Sequence, residues 1–131
     1  MSQRILIIDD EEGVRDAFEM ALFDTDYVVE TAETGEQGLE KARASRPDLV
    51  FLDLRMPGIN GVQTLRGLRE LYPDLNVHIM TAFYQQYLSE LRQANEEGIT
   101  FELSRKPMDG SQIRMIVNSQ LGGDVLSMEA Q

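Results

Sequence analysis

A small set of residues could do chemistry here: Asp9, Asp10, Asp53, Thr81 and Lys106. Each stands at, or just past, the end of an expected strand. Asp9 and Asp10 follow Ile5–Leu6–Ile7–Ile8, and Asp53 follows Leu49–Val50–Phe51–Leu52. Thr81 closes Val77–His78–Ile79–Met80, and Lys106 comes just after Ile99–Ser104. Runs of this kind read as strands buried on both faces. In open α/β sheets, reacting groups collect beyond the carboxyl ends of the strands. Three acids, a hydroxyl and an ammonium are therefore expected along one edge of a sheet.

Acids gathered this way repel. Two carboxylates about 4 Å apart at an effective dielectric of about 20 cost roughly 4 kcal/mol. Protonation with a raised pKa is one remedy. A hard divalent cation is the other. Mg²⁺ accepts one or two carboxylates, keeps several waters and takes phosphate oxygens as further ligands. Lys106 adds a cation with three donors. A carboxylate nucleophile, a metal site, an ammonium and a hydroxyl together describe phosphoryl transfer onto an aspartate. In that chemistry Thr81 donates to a phosphoryl oxygen.

The intervening segments supply the scaffold. Val14, Ala17, Phe18, Ala21 and Leu22 recur at helical spacing, with Glu11 and Glu12 expected in the first turn, where the helix dipole favours acids. Tyr27–Ala32 predicts a second strand. Thr34–Gly35–Glu36–Gln37 predicts a capping box opening a helix that carries Leu39 and Ala42 inward and stops near Pro47. Asn60 is placed to cap a third helix, with Val62, Leu65, Leu68 and Leu71 inward, before Pro73. Tyr84, Tyr87, Leu88, Leu91 and Ala94 trace a fourth helix, with Gly98 as its stop. Ile99–Ser104 alternates as the fifth strand, with Ile99, Phe101 and Leu103 on one face. Asp109–Gly110–Ser111–Gln112 opens a last helix bearing Ile113, Ile116, Val117 and Leu121. Strict β–α alternation implies a parallel sheet with right-handed crossovers and helices on both faces. The expected fold is a doubly wound, flavodoxin-like (βα)5 sheet of order 2-1-3-4-5. Its switch point falls between the first and third strands, the two that end in acids.

The chain of 131 residues suits one domain. That domain is expected over 1–121, with 122–131 as a flexible tail. A net charge of −11 argues against direct nucleic-acid binding, which depends on neutralising phosphates, and against an anionic membrane surface. The absence of cysteine excludes disulfides and thiolate chemistry. The aliphatic run near the N-terminus is too short for a signal peptide or a span, so a cytoplasmic location is expected. His78, the single histidine, lies within a strand and is expected to be an inert, partly buried residue rather than a phosphorelay site.

Four segments together resemble the receiver domain of two-component response regulators. They are Ile7–Ile8–Asp9–Asp10–Glu11, the stretch Asp53 to Gly61 (DLRMPGING), Met80–Thr81–Ala82 and Lys106–Pro107, and the likeness covers about Arg4 to Leu121. The resemblance implies that Asp53 is the phosphoacceptor for a histidine kinase or phosphotransfer protein. It implies Mg²⁺ (or Mn²⁺) held by Asp10, Asp53 and the backbone carbonyl of Arg55, with Asp9 acting through water. Lys106 would pair with Asp53 and then with its phosphoryl group, and Thr81 would close on that group. The Lys106–Pro107 peptide is usually cis in the family. Output is implied through the surface of the fourth helix, fifth strand and fifth helix, to a protein partner or a second copy. The family is not a dedicated enzyme; its members assist their own Mg²⁺-dependent phosphotransfer and autodephosphorylation.

Three features depart from the pattern. Leu103 stands where the family keeps a switching aromatic, so Phe101, Phe83 or Tyr84 would have to replace it. The interval from Thr81 to Lys106 is long for the family, which suggests an extended fourth helix or exit loop. Arg55 and Phe83 occupy positions that tune phosphoryl lifetime. A haloacid-dehalogenase-type aspartyl phosphatase also uses a strand-end Asp and Mg²⁺, but it expects an acid two residues after the nucleophile. Two residues after Asp9 stands Glu11 rather than the usual Asp, and two after Asp53 stands Arg55. A P-loop switch lacks its signature. A receiver fold that binds partners without being phosphorylated remains the chief alternative.

Overall fold

In the computed structural model, residues 2–82, 84–106 and 108–122 are described. Within them β1 (Arg4–Ile8), β2 (Val28–Ala32), β3 (Leu49–Asp53), β4 (Asn76–Thr81) and β5 (Glu102–Arg105) form a parallel sheet of order β2-β1-β3-β4-β5. The helices are α1 (Glu12–Ala21), α2 (Gly35–Ala44), α3 (Gly61–Leu71), α4 (Leu88–Glu96) and α5 (Gly110–Leu121). This is the expected doubly wound topology.

Side-chain alternation along the strands splits the core into two layers. Leu6, Ile8, Val50, Leu52, Val77 and Ile79 face α2, α3 and α4 through Ala42, Leu65, Leu68 and Leu91. Ile5, Ile7, Leu49, Phe51 and Met80 face α1 and α5 through Phe18, Ala21, Ile113 and Val117. All five residues of β3 are buried, so Asp53 is delivered from the middle of the core.

Helix starts follow the expected caps, with one variation. Asn60 and Asp109 each close a full capping box with Gln63 and Gln112. Thr34 accepts from the Gln37 N–H at 3.0 Å, but the Gln37 side chain accepts from the Glu33 N–H at 2.7 Å rather than from Thr34. Glu11 is the residue before α1 rather than part of its first turn, and its side chain makes no capping bond. Ala17, expected inward, is exposed.

The fourth and fifth units depart most from expectation. Tyr84–Tyr87 forms a 3₁₀ turn, and α4 begins only at Leu88. Gly98, at φ +90, ends the helix as expected. The strand expected from Ile99 starts instead at Glu102. The Ile99 N–H donates back to the Ala94 carbonyl at 3.0 Å, closing the end of α4, and so is not available to the sheet. Arg69 of α3 donates to the Thr100 and Leu75 carbonyls, both at 2.5 Å, tying this connection to the α3–β4 turn. Ile99 and Phe101 pack against the core, but Leu103 is 45% exposed. The inward residue on the opposite face of β5 is Ser104, 2.5 Å from His78 Nε2. Among the described residues no helix is long and apolar enough to cross a membrane. Phe83, Pro107 and positions 123–131 lie outside the described residues, and with them the cis-peptide, Phe83 and tail expectations.

Candidate functional site

The carboxyl ends of β1 and β3 lie side by side, since Ile8 pairs with Leu52. Ligand atoms of Asp9, Asp10 and Asp53 all fall within 4.8 Å of one another. Asp9 and Asp53 are buried, and Asp10 is exposed. Asp9 is held in the sheet by its own N–H, which donates to the Ala32 carbonyl at 3.0 Å. Its Oδ1 accepts from the Glu11 N–H at 2.9 Å, and its carbonyl accepts from Arg15 at 2.9 Å.

The Asp53 carboxylate is positioned by the turn that follows its strand. The β3–α3 turn folds back so that the Gly61 N–H donates to the Leu54 carbonyl at 2.9 Å. A Cβ at Gly61 would sit 2.4 Å from the Asp53 carbonyl oxygen, so only glycine permits this approach. The backbone N–H of Arg55 donates to the Asp53 carboxylate.

Lys106 arrives from the end of β5. Its N–H donates to the Thr81 carbonyl at 3.1 Å, which registers it against the end of β4. Its Nζ lies 2.6 Å from Asp9 Oδ2, 3.0 Å from Glu11 Oε1 and 3.5 Å from Asp53 Oδ1. Thr81 is buried at the end of β4, adjoining this edge. Asp9, Asp10, Asp53 and Lys106 thus meet at this edge of the sheet, with the Arg55 N–H on Asp53 and Thr81 at the neighbouring strand end.

Electrostatics follow from burial. Burial first, and then the Asp9 charge, push the Asp53 carboxyl up to about 7, against the pull of Lys106 and the Arg55 N–H. Burial likewise raises Asp9, against its bonds from Lys106 and the Glu11 N–H. Burial alone would lower Lys106, but its bond to Asp9 and the charge on Asp53 outweigh that and hold it above its ordinary value. One ammonium therefore stands against several carboxylates, two of them buried. Such an excess of hard oxygen donors fits a divalent cation.

Beside the acids opens a cleft of about 690 Å³. Asp10, Asp53 and Lys106 line it together with the apolar Val14, Ala17 and Met108. Two features here were not foreseen. Glu11 joins the Lys106 ion pairs, and the exposed Ala17 belongs to this cleft. Glu11 belongs to the first motif segment, but nothing in the sequence tied it to Lys106, since an acid at a helix start has an ordinary explanation in the dipole. The helical stripe did single out Ala17, although not its exposure.

A family model described as the response regulator receiver domain matches residues 5–118. The chain belongs to this family. The receiver is 32% identical over 121 residues to sporulation initiation phosphotransferase F of Bacillus subtilis, covering 92% of this chain and 95% of that protein. It is 38% identical over 98 residues to the response regulator GacA of Pseudomonas viridiflava, covering 72% of this chain. The match spans only 46% of GacA, about half its length. Among solved structures, the response regulator TrrA of Thermotoga maritima in complex with Mg²⁺–BeF superposes with a TM-score of 0.75 at 30% identity. That alignment covers 90% of this chain and 98% of TrrA.

Proposed function

We propose that this receiver accepts a phosphoryl group on Asp53 from a histidine kinase or phosphotransfer protein, and that the acyl phosphate switches its partner-binding surface. The observation that carries the reading is the buried Asp53, with Asp9 and Asp10 carboxylates within 4.8 Å and the Lys106 ammonium at 3.5 Å. Asp10, Asp53 and the Arg55 carbonyl would hold Mg²⁺ (or Mn²⁺), with Asp9 acting through water. The Mg²⁺–BeF complex of the related TrrA supports that assignment. When bound, the ion supplies positive charge to the carboxylate and to the transferring phosphoryl oxygens.

An Asp53 carboxylate oxygen attacks phosphorus, and the bond from phosphorus to the donor imidazole nitrogen breaks. The imidazole keeps that electron pair and takes up a proton. Lys106 pairs with the phosphoryl oxygens, and the Thr81 hydroxyl donates to one of them. The new group carries about −1.5 to −2 charge, which biases a two-state equilibrium. Leu88 of α4 and Leu103 of β5 are exposed apolar residues, which suits output through the α4–β5–α5 surface. A haloacid-dehalogenase-type phosphatase is disfavoured, because neither Asp9 nor Asp53 is followed two residues later by the aspartate it uses: Glu11 and Arg55 stand there.

The test is incubation with Mg²⁺ and acetyl phosphate, followed by intact mass. A single phosphoryl adduct is expected, absent in Asp53→Asn. No adduct with any donor would favour a binding module that is never phosphorylated. Sustained turnover of phosphoesters would favour the phosphatase. In the same protein, Asp10→Ala should weaken Mg²⁺ binding more than Asp9→Ala does, because Asp10 is exposed whereas Asp9 is already committed to Lys106.

A further inference from the structure

Lys106 faces three carboxylates, and they differ in how they are held. Asp9 and Asp53 are buried at strand ends. Glu11 lies in the β1–α1 connection with its side chain 64% exposed. Its backbone N–H is committed to Asp9, but its carboxylate makes no capping bond to α1 and pairs with Lys106 at 3.0 Å. The ammonium therefore leans towards the β1 side. Asp9 and Glu11 are both nearer to it than Asp53, at 3.5 Å.

We propose that Glu11 is a positioning residue that competes with Asp53 for the Lys106 ammonium, and so sets how much phosphodonor the receiver needs. The inference rests on Asp53 being the phosphoacceptor. A phosphoryl group arriving at Asp53 recruits Lys106 only from the fraction of molecules in which Glu11 has released it. A ligand that binds one of two populated states has its apparent affinity reduced by the fraction in that state. An ion pair with one exposed partner biases such a population by about 2- to 5-fold. Glu11 thus raises the half-saturating donor concentration and leaves the maximal rate alone.

The experiment is a double-mutant cycle with Glu11→Gln and Lys106→Ala. Phosphorylation is followed by intact mass against acetyl phosphate concentration at saturating Mg²⁺. Glu11→Gln should lower the half-saturating concentration about 2- to 5-fold, the size of an exposed ion pair, with little change in maximal rate. In the Lys106→Ala background the same substitution should have no effect. Mg²⁺–beryllofluoride affinity is read in all four proteins as an equilibrium measure, so a slow Lys106→Ala variant still reports, and the same pattern is expected. An unchanged half-saturating concentration in Glu11→Gln would overturn the inference. So would a shift that persists without Lys106, which would mean that Glu11 merely repels an anionic donor or acts on the start of α1. No adduct on the unsubstituted protein would instead refute the phosphoacceptor reading, on which the inference depends.

Discussion

β3 and β5 lie two strands apart in one sheet, yet they are held by different means. β3 is buried along its whole length and pairs on both sides, with β1 and β4. β5 is an edge strand with a single partner, and its Glu102, Leu103 and Arg105 are exposed. The first presents Asp53, whose oxygens must be placed closely for phosphoryl chemistry. The second is followed by Lys106, whose long side chain tolerates movement. Rigid support under the nucleophile and a loosely held edge beside it divide the molecule into a reacting half and a half that can respond. Local stability is expected to follow the same division.

The sharpest way to break this comparison is to remove packing beneath Asp53. Phe51 is fully buried on β3, its ring 4.7 Å from Phe18 and 5.4 Å from His78. Phe51→Ala should cost about 3–5 kcal/mol, read as a lower urea midpoint at unchanged slope. A loss below about 1 kcal/mol would mean that the core under the site collapses to fill the gap, and β3 would not be the rigid member.

Next in size is the charge that β3 carries. A carboxyl raised from 3.8 to about 7 in the folded state binds its proton more tightly there than when unfolded. Stability from this group is therefore greatest at low pH and is lost as pH rises through about 7. Between pH 6.5 and 8 the loss is about 1 kcal/mol. His78, whose pKa burial lowers, acts in the opposite sense around and below its ordinary 6.5, so it offsets part of the loss at the lower end of this window and none of it above about pH 7.5. The ionised Asp53 carries a penalty of order 4 kcal/mol. Asp53→Asn should accordingly raise stability at pH 8 by about 2–4 kcal/mol and flatten the pH slope, as read by thermal melts without metal. Saturating Mg²⁺ should narrow the gap between the two proteins. A variant no more stable than its parent would show that Asp53 is not strained by its neighbours.

The same division explains what was legible in the sequence. The elements and the strand-end acids follow from apolar runs and caps, which are local signals, and the strand order from the strict alternation of strands and helices. Thr81 and Lys106 acquired roles through a family motif as well as through position. β5 was misplaced because Ile99–Ser104 alternates like a strand, while the Ile99 amide is captured by the end of α4, an interaction that alternation cannot report. Glu11 was missed as a site residue for a similar reason. Its partner is 95 positions away, and an acid at a helix start already has an ordinary explanation. Where the chain is buried on both sides its pattern has one reading. At the edge, several local arrangements compete.

Ser104 tests how far the edge depends on one polar tie. His78 is buried, its Nε2 bonded to Ser104 and its Nδ1 without a partner among the described residues. Ser104→Ala would leave both ring nitrogens unbonded in the core. The expected cost is about 1–2 kcal/mol, with faster amide exchange in β5 than in β3. No change in either measurement would mean that water or another group takes over the bond.

The smallest effect is expected at Leu103. Its side chain is 45% exposed on a strand that pairs only with β4, so truncation opens no cavity and strands no polar group. Leu103→Ala should therefore change stability by no more than about 0.5 kcal/mol, against several for Phe51→Ala. The urea midpoint checks this directly. Partner binding by the phosphorylated protein is a separate readout, and there Leu103→Ala should weaken the complex if this surface carries the output. A stability loss above about 1.5 kcal/mol would place Leu103 in the core and make β5 as rigid as β3. Unchanged stability with unchanged partner binding would leave the edge loose and move the output to another surface.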